Sequence, residues 1–324
     1  MSKSETRLRT NSELDHDVQG QTILVTGGAG FIGSHLTEAL VADNDVRVLD
    51  DLSGGCPENV PEQAELLVGD VREESALAEA MDGVDLVFHE AAVVSVGHSV
   101  DAPVETDETN ASATLALLEQ ARKEDARVVL ASSAAIYGQP ETVPIPESHP
   151  KSPASPYGVT KLTADQYAQI YAELYDLPTV ALRYFNVYGP RGGGDYSGVI
   201  RVFTEQALAD DPITVEGDGG QTRDFVHVRD VVRANLRAAT TDHVGEAFNV
   251  GTGEYVSIAD LAAAIRDAAD SDSRIVHVGP RDGDIEHSYA ETTAAAERLG
   301  FEASIPLSDG LATVPGLGSV EEPY

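Results

Sequence analysis

Short β-branched apolar runs recur along the first half of the chain, at Thr22–Val25, Val46–Leu49, Glu65–Val68, Val84–Phe88, Arg127–Ala131 and Thr179–Arg183. Between them lie stretches whose apolar residues repeat at helical spacing: 34–42, 73–81, 103–123 and 162–175. Apolar runs of strand length alternating with amphipathic helices predict an α/β fold with a parallel sheet covered by helices on both faces. The long pattern at 103–123 carries Ala111, Thr114, Leu115, Leu118 and Ala121 on one face, fit to pack on the sheet or on a second subunit. Beyond Asn186 the period changes. Helices at 199–209, 231–240 and 258–269 and short strands at 213–215 and 247–250 alternate irregularly, and an amphipathic stretch at 292–299 precedes an irregular end rich in proline and glycine.

The first run empties into Gly27-Gly28-Ala29-Gly30-Phe31-Ile32-Gly33, a G-x-x-G-x-x-G turn that opens the first helix. Glycine is needed there because a Cβ would block both the turn and the approach of backbone to a pyrophosphate, which then sits at the helix N-terminus. About 20 residues further on, the second strand ends in Asp50, whose carboxylate can accept both ribose hydroxyls of an adenosine. It repels a 2′-phosphate, and Asp51 adds to that, so the expected cofactor is NAD rather than NADP. The fold expected is therefore a Rossmann-like doubly wound parallel sheet with a smaller α/β C-terminal substrate domain. The first domain takes residues 20–185 and about 224–252, the second 186–223 and 253–324. On this reading Gly27, Gly30, Phe31, Ile32, Gly33, Asp50, Asp70, Val71, Ala91, Ala92, Asn110 and Tyr184 line the cofactor crevice, together with Tyr157 and Lys161. Asp70 either reaches the adenine amino group or caps the helix that follows, and Asn110 is either a cofactor contact or a structural hydrogen-bonder.

Ser155-Pro156-Tyr157-Gly158-Val159-Thr160-Lys161 opens a helix with serine as cap and proline in the first turn. Tyr157 and Lys161, four apart, share a face. A phenol with its ordinary pKa near 10 is too weak a base at neutral pH; an ammonium one turn away and a cationic nicotinamide bring it into range. Ser133, at the end of the fifth strand, can donate to or relay a proton from the same substrate hydroxyl.

Composition narrows the partners. In 324 residues, 55 acidic side chains face 21 basic ones for a net charge of -34, and lysine occurs only at positions 3, 123, 151 and 161. Such an excess fits adaptation to high salt and argues against nucleic acid and anionic membranes as partners. The single cysteine, Cys56, excludes an internal disulfide and has no metal-ligand companions, so no metal is expected. No stretch has the length of a membrane span, no apolar signal core opens the chain, and residues 1–19 read as a disordered polar leader; the expected location is cytoplasmic.

With these residues assembled, the chain resembles the extended short-chain dehydrogenase/reductase family, and within it the NAD-dependent nucleotide-sugar epimerases. The motifs run from the glycine turn through Gly69-Asp70-Val71, His89-Glu90-Ala91-Ala92, Ser132-Ser133-Ala134-Ala135-Ile136-Tyr137-Gly138, Tyr157 with Lys161 and Arg183-Tyr184-Phe185-Asn186. They continue to Arg223-Asp224-Phe225-Val226-His227-Val228 and Arg281-Asp282-Gly283-Asp284. The resemblance implies tightly held NAD, a UDP-sugar between the two domains and a homodimer joined through two long helices. It implies that Asn186 contacts the sugar-nucleotide phosphates, that Arg223 and Arg281 clamp the pyrophosphate, and that Asp284 holds the uridine ribose. Tyr157 would take the proton of the sugar 4-hydroxyl while hydride leaves carbon 4 for the nicotinamide, and the 4-keto sugar would be reduced on its other face. Dehydratases and decarboxylases of the family usually carry an acid just after the catalytic Ser or Thr; Ala134 and Ala135 stand there, which favours epimerisation. Ser288, or Tyr289 if the alignment shifts by one, falls where the family limits space around the sugar's carbon 2. A small side chain there would admit an N-acetyl group.

Overall fold

The computed structural model describes residues 14, 16–192, 198–281 and 283–318. In chain order the first part contains β1 (Thr22–Thr26), α1 (Phe31–Leu40), β2 (Asp45–Asp50), β3 (Glu65–Val68), α2 (Glu74–Met81) and β4 (Leu86–His89). It continues with α3 (Val96–Asp101), α4 (Pro103–Asp107), α5 (Ala113–Glu124), β5 (Arg127–Ser133), α6 (Pro156–Tyr175) and β6 (Thr179–Tyr184). The second part adds β7 (Asn186–Tyr188), α7 (Val199–Leu208), β8 (Ile213–Glu216), β9 (Thr222–Arg223), β10 (Phe225–His227), α8 (Val228–Thr240) and β11 (Glu246–Val250). Last come β12 (Val256–Ser257), α9 (Ile258–Ala268), β13 (Ile275–Val278), β14 (His287–Ser288) and α10 (Leu307–Leu311).

Seven strands form one sheet in the order β11-β6-β5-β4-β1-β2-β3, all parallel. Its central strands are apolar on both sides because both faces are covered. Ile23 and Val25 of β1 pack with Leu36 and Leu40 of α1 and Val231 of α8. Leu24 points the other way, into the layer of Leu77 (α2), Leu117 and Leu118 (α5) and Tyr171 (α6). Ala164 and Ala168 let α6 lie close on Leu130 and Ala181 of β5 and β6. Each fully buried aliphatic side chain contributes roughly 1.5–3 kcal/mol. The smaller core gathers Ile213 and Val215 (β8), Phe225 (β10), and Leu261 and Ile265 (α9), with β8 paired to β13 and β9 set between β12 and β14.

Three expectations change. The continuous helix at 103–123 is α4, a turn of π helix at Glu108–Ser112, and α5; α3 precedes it. The wide turn lets the Asn110 side chain bond both backbone groups of Val93, which a regular helix would not require. The amphipathic stretch at 292–299 likewise resolves into a π turn, Ala295–Leu299. The leader is not wholly solvated. Residues 1–13 and 15 lie outside the described part, but Val18 is buried in the main core and the His16 ring bonds the Ala39 carbonyl at 3.0 Å.

Candidate active site

The parallel sheet brings the C-terminal ends of β1, β2, β4, β5 and β6 to one edge, where crevices of such folds bind ligands. At the end of β1, Gly27 has φ +69°, and a Cβ there would lie 2.7 Å from the Ala91 nitrogen; one at Gly33 would strike the Gly27 carbonyl. The turn is thus pressed against the strand end carrying Ala91 and Ala92, whose backbone is tied back by Ala91 N–H to Thr26 Oγ1 at 3.3 Å. Gly30 precedes α1 and caps it with no side chain, so Phe31, Ile32 and Gly33 open a helix whose positive end is available to an anion. Asp50, buried at the end of β2, accepts from Ala29 N–H at 2.9 Å and Leu52 N–H at 2.8 Å, which fixes its carboxylate beside the turn. Desolvation raises its pKa and those two amides oppose the rise. A side-chain-free turn, an open helix end and an acid at this spacing fit NAD.

Two flanking residues use their side chains within the protein. Asp70 does not cap α2. Its carboxylate takes a bidentate guanidinium bond from Arg72, which holds its pKa below the ordinary value, and Val71 beside it is buried. The Asn110 amide donates to the Val93 carbonyl at 2.9 Å and to Thr160 Oγ1 at 3.2 Å and accepts from Val93 N–H at 2.7 Å, the structural alternative of its two readings.

The chemistry-bearing residues meet at the ends of β4, β5 and β6. Ser155 Oγ accepts from Gly158 N–H at 3.1 Å and Pro156 occupies the first turn of α6. Gly158 lets that turn descend on the 3₁₀ turn after β5, since a Cβ would stand 2.8 Å from the Ala135 carbonyl. This closeness brings the start of α6, with Tyr157, against the end of β5, where Ser133 Oγ accepts from Ala135 N–H at 3.2 Å. Lys161 is buried, and its ammonium donates to the Ala131 carbonyl at 3.0 Å. Burial lowers its pKa to about 8, against the attraction of Glu90. Desolvation raises the Tyr157 phenol above its ordinary pKa, the Ser133 side chain opposes the rise, and the Glu90 charge adds to it.

Glu90 itself had no role in the sequence reading. It follows β4 directly and accepts from the Tyr184 hydroxyl at 2.8 Å; Tyr184 in turn accepts from the Asn235 amide at 2.8 Å. Desolvation lifts its pKa to about 7, opposed by Tyr184 and Lys161. The one sequence signal was a carboxylate among small residues at a strand end. Beneath it, His89 lies between Thr26 Oγ1 at 2.7 Å and Thr114 Oγ1 at 2.9 Å, and burial drives its pKa down to about 3.

On the substrate side, Asn186 and Phe31 border a common cavity of about 220 Å³ that continues to Val199, Thr204 and Phe225. Arg223 and Asp284, separate in the sequence reading, form an ion pair at 2.6 Å. Arg281 instead bonds Glu216 at 3.0 Å with its side chain 69 % exposed, the surface ion pair that so acidic a chain invites. Ser288 is buried in β14 opposite Arg223, whereas the Tyr289 ring packs on Tyr255 at 5.0 Å. Among the described residues no His, Cys, Asp and Glu cluster could hold a metal ion, and no helix is long and apolar enough to cross a membrane.

The sequence model of the NAD dependent epimerase/dehydratase family matches residues 23–251. The chain belongs to that family. It is an enzyme of the NAD-dependent epimerase/dehydratase group, and NAD is its cofactor. A putative UDP-glucose 4-epimerase of Methanocaldococcus jannaschii is 39% identical over 299 residues, covering 90% of this chain and 96% of the relative. The crystal structure of a Thermotoga maritima UDP-glucose 4-epimerase with UDP-glucose superposes with a TM-score of 0.86 at 38% identity, covering 89% of this chain and 96% of that one. A dTDP-glucose 4,6-dehydratase of Streptomyces venezuelae with NAD bound is also similar, with a TM-score of 0.84 at 30% identity over 90% of this chain and 94% of its own. Family members of this shape thus include more than one reaction on a nucleotide-sugar.

Proposed function

We propose that this chain is an NAD-dependent 4-epimerase of a UDP-hexose, interconverting UDP-glucose and UDP-galactose, with the N-acetyl forms admitted by the small Ser288. What supports the reading is Tyr157 with Lys161 one turn along α6, Ser133 at the end of β5, and no carboxylate in the turn Ala134–Tyr137. When bound, NAD supplies the hydride acceptor and donor. Tyr157 takes the proton of the sugar 4-hydroxyl and later returns it, while Ser133 holds the same oxygen by a hydrogen bond. Orientation supplies the rest of the rate, since nothing is consumed in a reaction without net redox change. Asn186 and Arg223 meet the pyrophosphate, and Asp284 is freed for the uridine ribose when phosphate replaces it on Arg223. Arg281, exposed beside Glu216, reaches the phosphates by changing rotamer. Apolar side chains left in solvent on α4 and α6, Val104 and Leu174 among them, support a homodimer through these helices.

The test incubates the protein without added NAD with UDP-glucose, UDP-galactose and their N-acetyl analogues and resolves the products. A 4-epimer is expected, and Tyr157→Phe should lower kcat by roughly 10²–10⁴-fold while bound NAD and the melting temperature are kept. Unchanged turnover in that variant, or a dehydrated or decarboxylated product from the parent, overturns the reading.

A further inference from the structure

Asp224 stands between Arg223 at the end of β9 and Phe225 at the start of β10, and none of it is exposed. A carboxylate out of water must be supplied with donors, because an unpaired buried charge is strongly unfavourable. Among the described residues, four donors reach it. Thr252 N–H and Thr252 Oγ1 donate to Oδ1 at 2.8 and 2.7 Å, and Gly253 N–H and Ala290 N–H donate to Oδ2 at 3.0 and 3.2 Å. They occupy the roughly four lone-pair sites a carboxylate offers. Two glycines permit the approach. A Cβ at Gly251 would stand 2.5 Å from Oδ2, and Gly253 has φ +74°, so the chain folds down on the carboxylate directly after β11.

These bonds join three segments far apart in sequence, all on the substrate side of the crevice. The Asp224 carbonyl accepts from Asn186 N–H at 3.0 Å, and the Asp224 N–H donates to the Ser288 carbonyl at 3.0 Å. Val256 of β12 and Ser288 of β14 flank Arg223 in register, and the adjoining Tyr255 and Tyr289 rings pack at 5.0 Å. Asn186, Arg223 and Ser288 are thus each one peptide link or one hydrogen bond from Asp224. We propose that Asp224 is a positioning residue which sets the spacing of these three groups and so fixes the affinity for the nucleoside diphosphate part of the substrate. The inference rests on the assignment of Asn186 and Arg223 to the pyrophosphate given above. Its effect falls on binding, since α6 and β5, which carry Tyr157 and Ser133, are tied to each other by a separate bond from Ser132 to Asp165. An amide cannot take the place of the carboxylate: it offers one oxygen and an NH₂, and in either orientation at least one backbone N–H would face a donor.

The test titrates the full chain with its bound cofactor with UDP in a calorimeter and follows turnover of UDP-glucose. In D224N the Kd for UDP should rise by about tenfold or more and the KM for UDP-glucose with it, while kcat stays within about threefold and the NAD content per chain is kept. A loss of global stability alone acts otherwise: it lowers the amount of active protein, and with it the apparent kcat, at unchanged KM. Should D224N fail to fold, T252V and T252S decide. Valine keeps the shape of the side chain and removes the hydroxyl that bonds Oδ1, which should raise the Kd for UDP about threefold, and serine should restore it. An unchanged Kd for UDP in D224N, or in T252V where D224N does not fold, overturns the proposal, and so does a fall in kcat with KM unmoved. Failure of the underlying reading shows in the parent instead, as a chain that binds no UDP, and takes the proposal with it.

Discussion

Neutral histidines are held in the interior at His35, His89 and His227, where burial lowers their pKa values to about 4, 3 and 4. Each has a fixed partner: the Pro190 carbonyl, the threonine pair, and Thr313. Because the unfolded chain binds these protons near pH 6.5 and the folded one does not, the stability they confer is complete above that value and drains away as pH falls toward 4 and 3. Each histidine contributes a slope of about 1.4 kcal/mol per pH unit in that window. Raised carboxylates such as Asp224 and Glu90 act with the opposite sign, so the clean measurement is a difference. Urea unfolding of His89→Gln between about pH 6 and pH 4.5 should show a pH slope shallower than the parent's by about 1.4 kcal/mol per unit; parallel slopes would mean that His89 is already protonated in the fold. At this scale the sequence discloses residues whose partners are near in the chain. Tyr157 and Lys161 declare themselves because one helical turn separates them. Glu90 does not, since the phenol that defines it lies 94 positions away, and the pairing of Arg281 with Glu216 rather than with a ligand is hidden for the same reason.

α6 carries both Tyr157 and Lys161, and what holds it in place is a buried ion pair. Arg183 of β6 forks onto Asp165 of α6 at 2.9 Å, with side-chain exposures of 4 % and 0 %, and Ser132 adds a 2.7 Å bond to the same carboxylate. Its remaining nitrogen reaches Tyr137 and the Glu147 carbonyl, so the loop from 140 to 153 is tied to the same knot. Replacing one partner leaves the other charge buried. Arg183→Leu should cost about 3–5 kcal/mol by chemical denaturation, while the double change with Asp165→Leu should recover much of it. An exposed-pair value below about 1 kcal/mol would show that water reaches the site. The helix itself was legible from Ser155 and Pro156, and the six strands of the first part from their apolar runs. The helix pattern at 103–123 misled because periodicity records which face is apolar, not a widened turn demanded by Val93. Short strands such as β9, β12 and β14, of 2 residues each, carry no periodicity, and they build the side of the site where Arg223 and Ser288 meet.

For the molecule as a whole, the net charge of -34 sets the conditions under which any of this can be measured. Mutual repulsion of surface carboxylates opposes the compact state, and salt shortens its reach from ~10 Å at 0.1 M to ~3 Å at 1 M. The melting temperature should therefore climb steeply with KCl across that range; a flat response would separate the acidic composition from salt adaptation. The sequence division, which returns residues 224–252 to the first domain, is a discontinuous one, and the strand order shows a chain that leaves the main sheet and comes back to it. β11 reaches the main sheet only after the chain has built β7 to α8, and it pairs along β6 from Glu246–Val180 to Val250–Tyr184. A fragment ending anywhere before that strand would leave β6 with a bare hydrogen-bonding edge beside the residues meant to bind sugar. The main sheet closes its β6 edge only after the chain has passed through β7 to α8, so a cut between the two parts would separate β11 from the strand it covers.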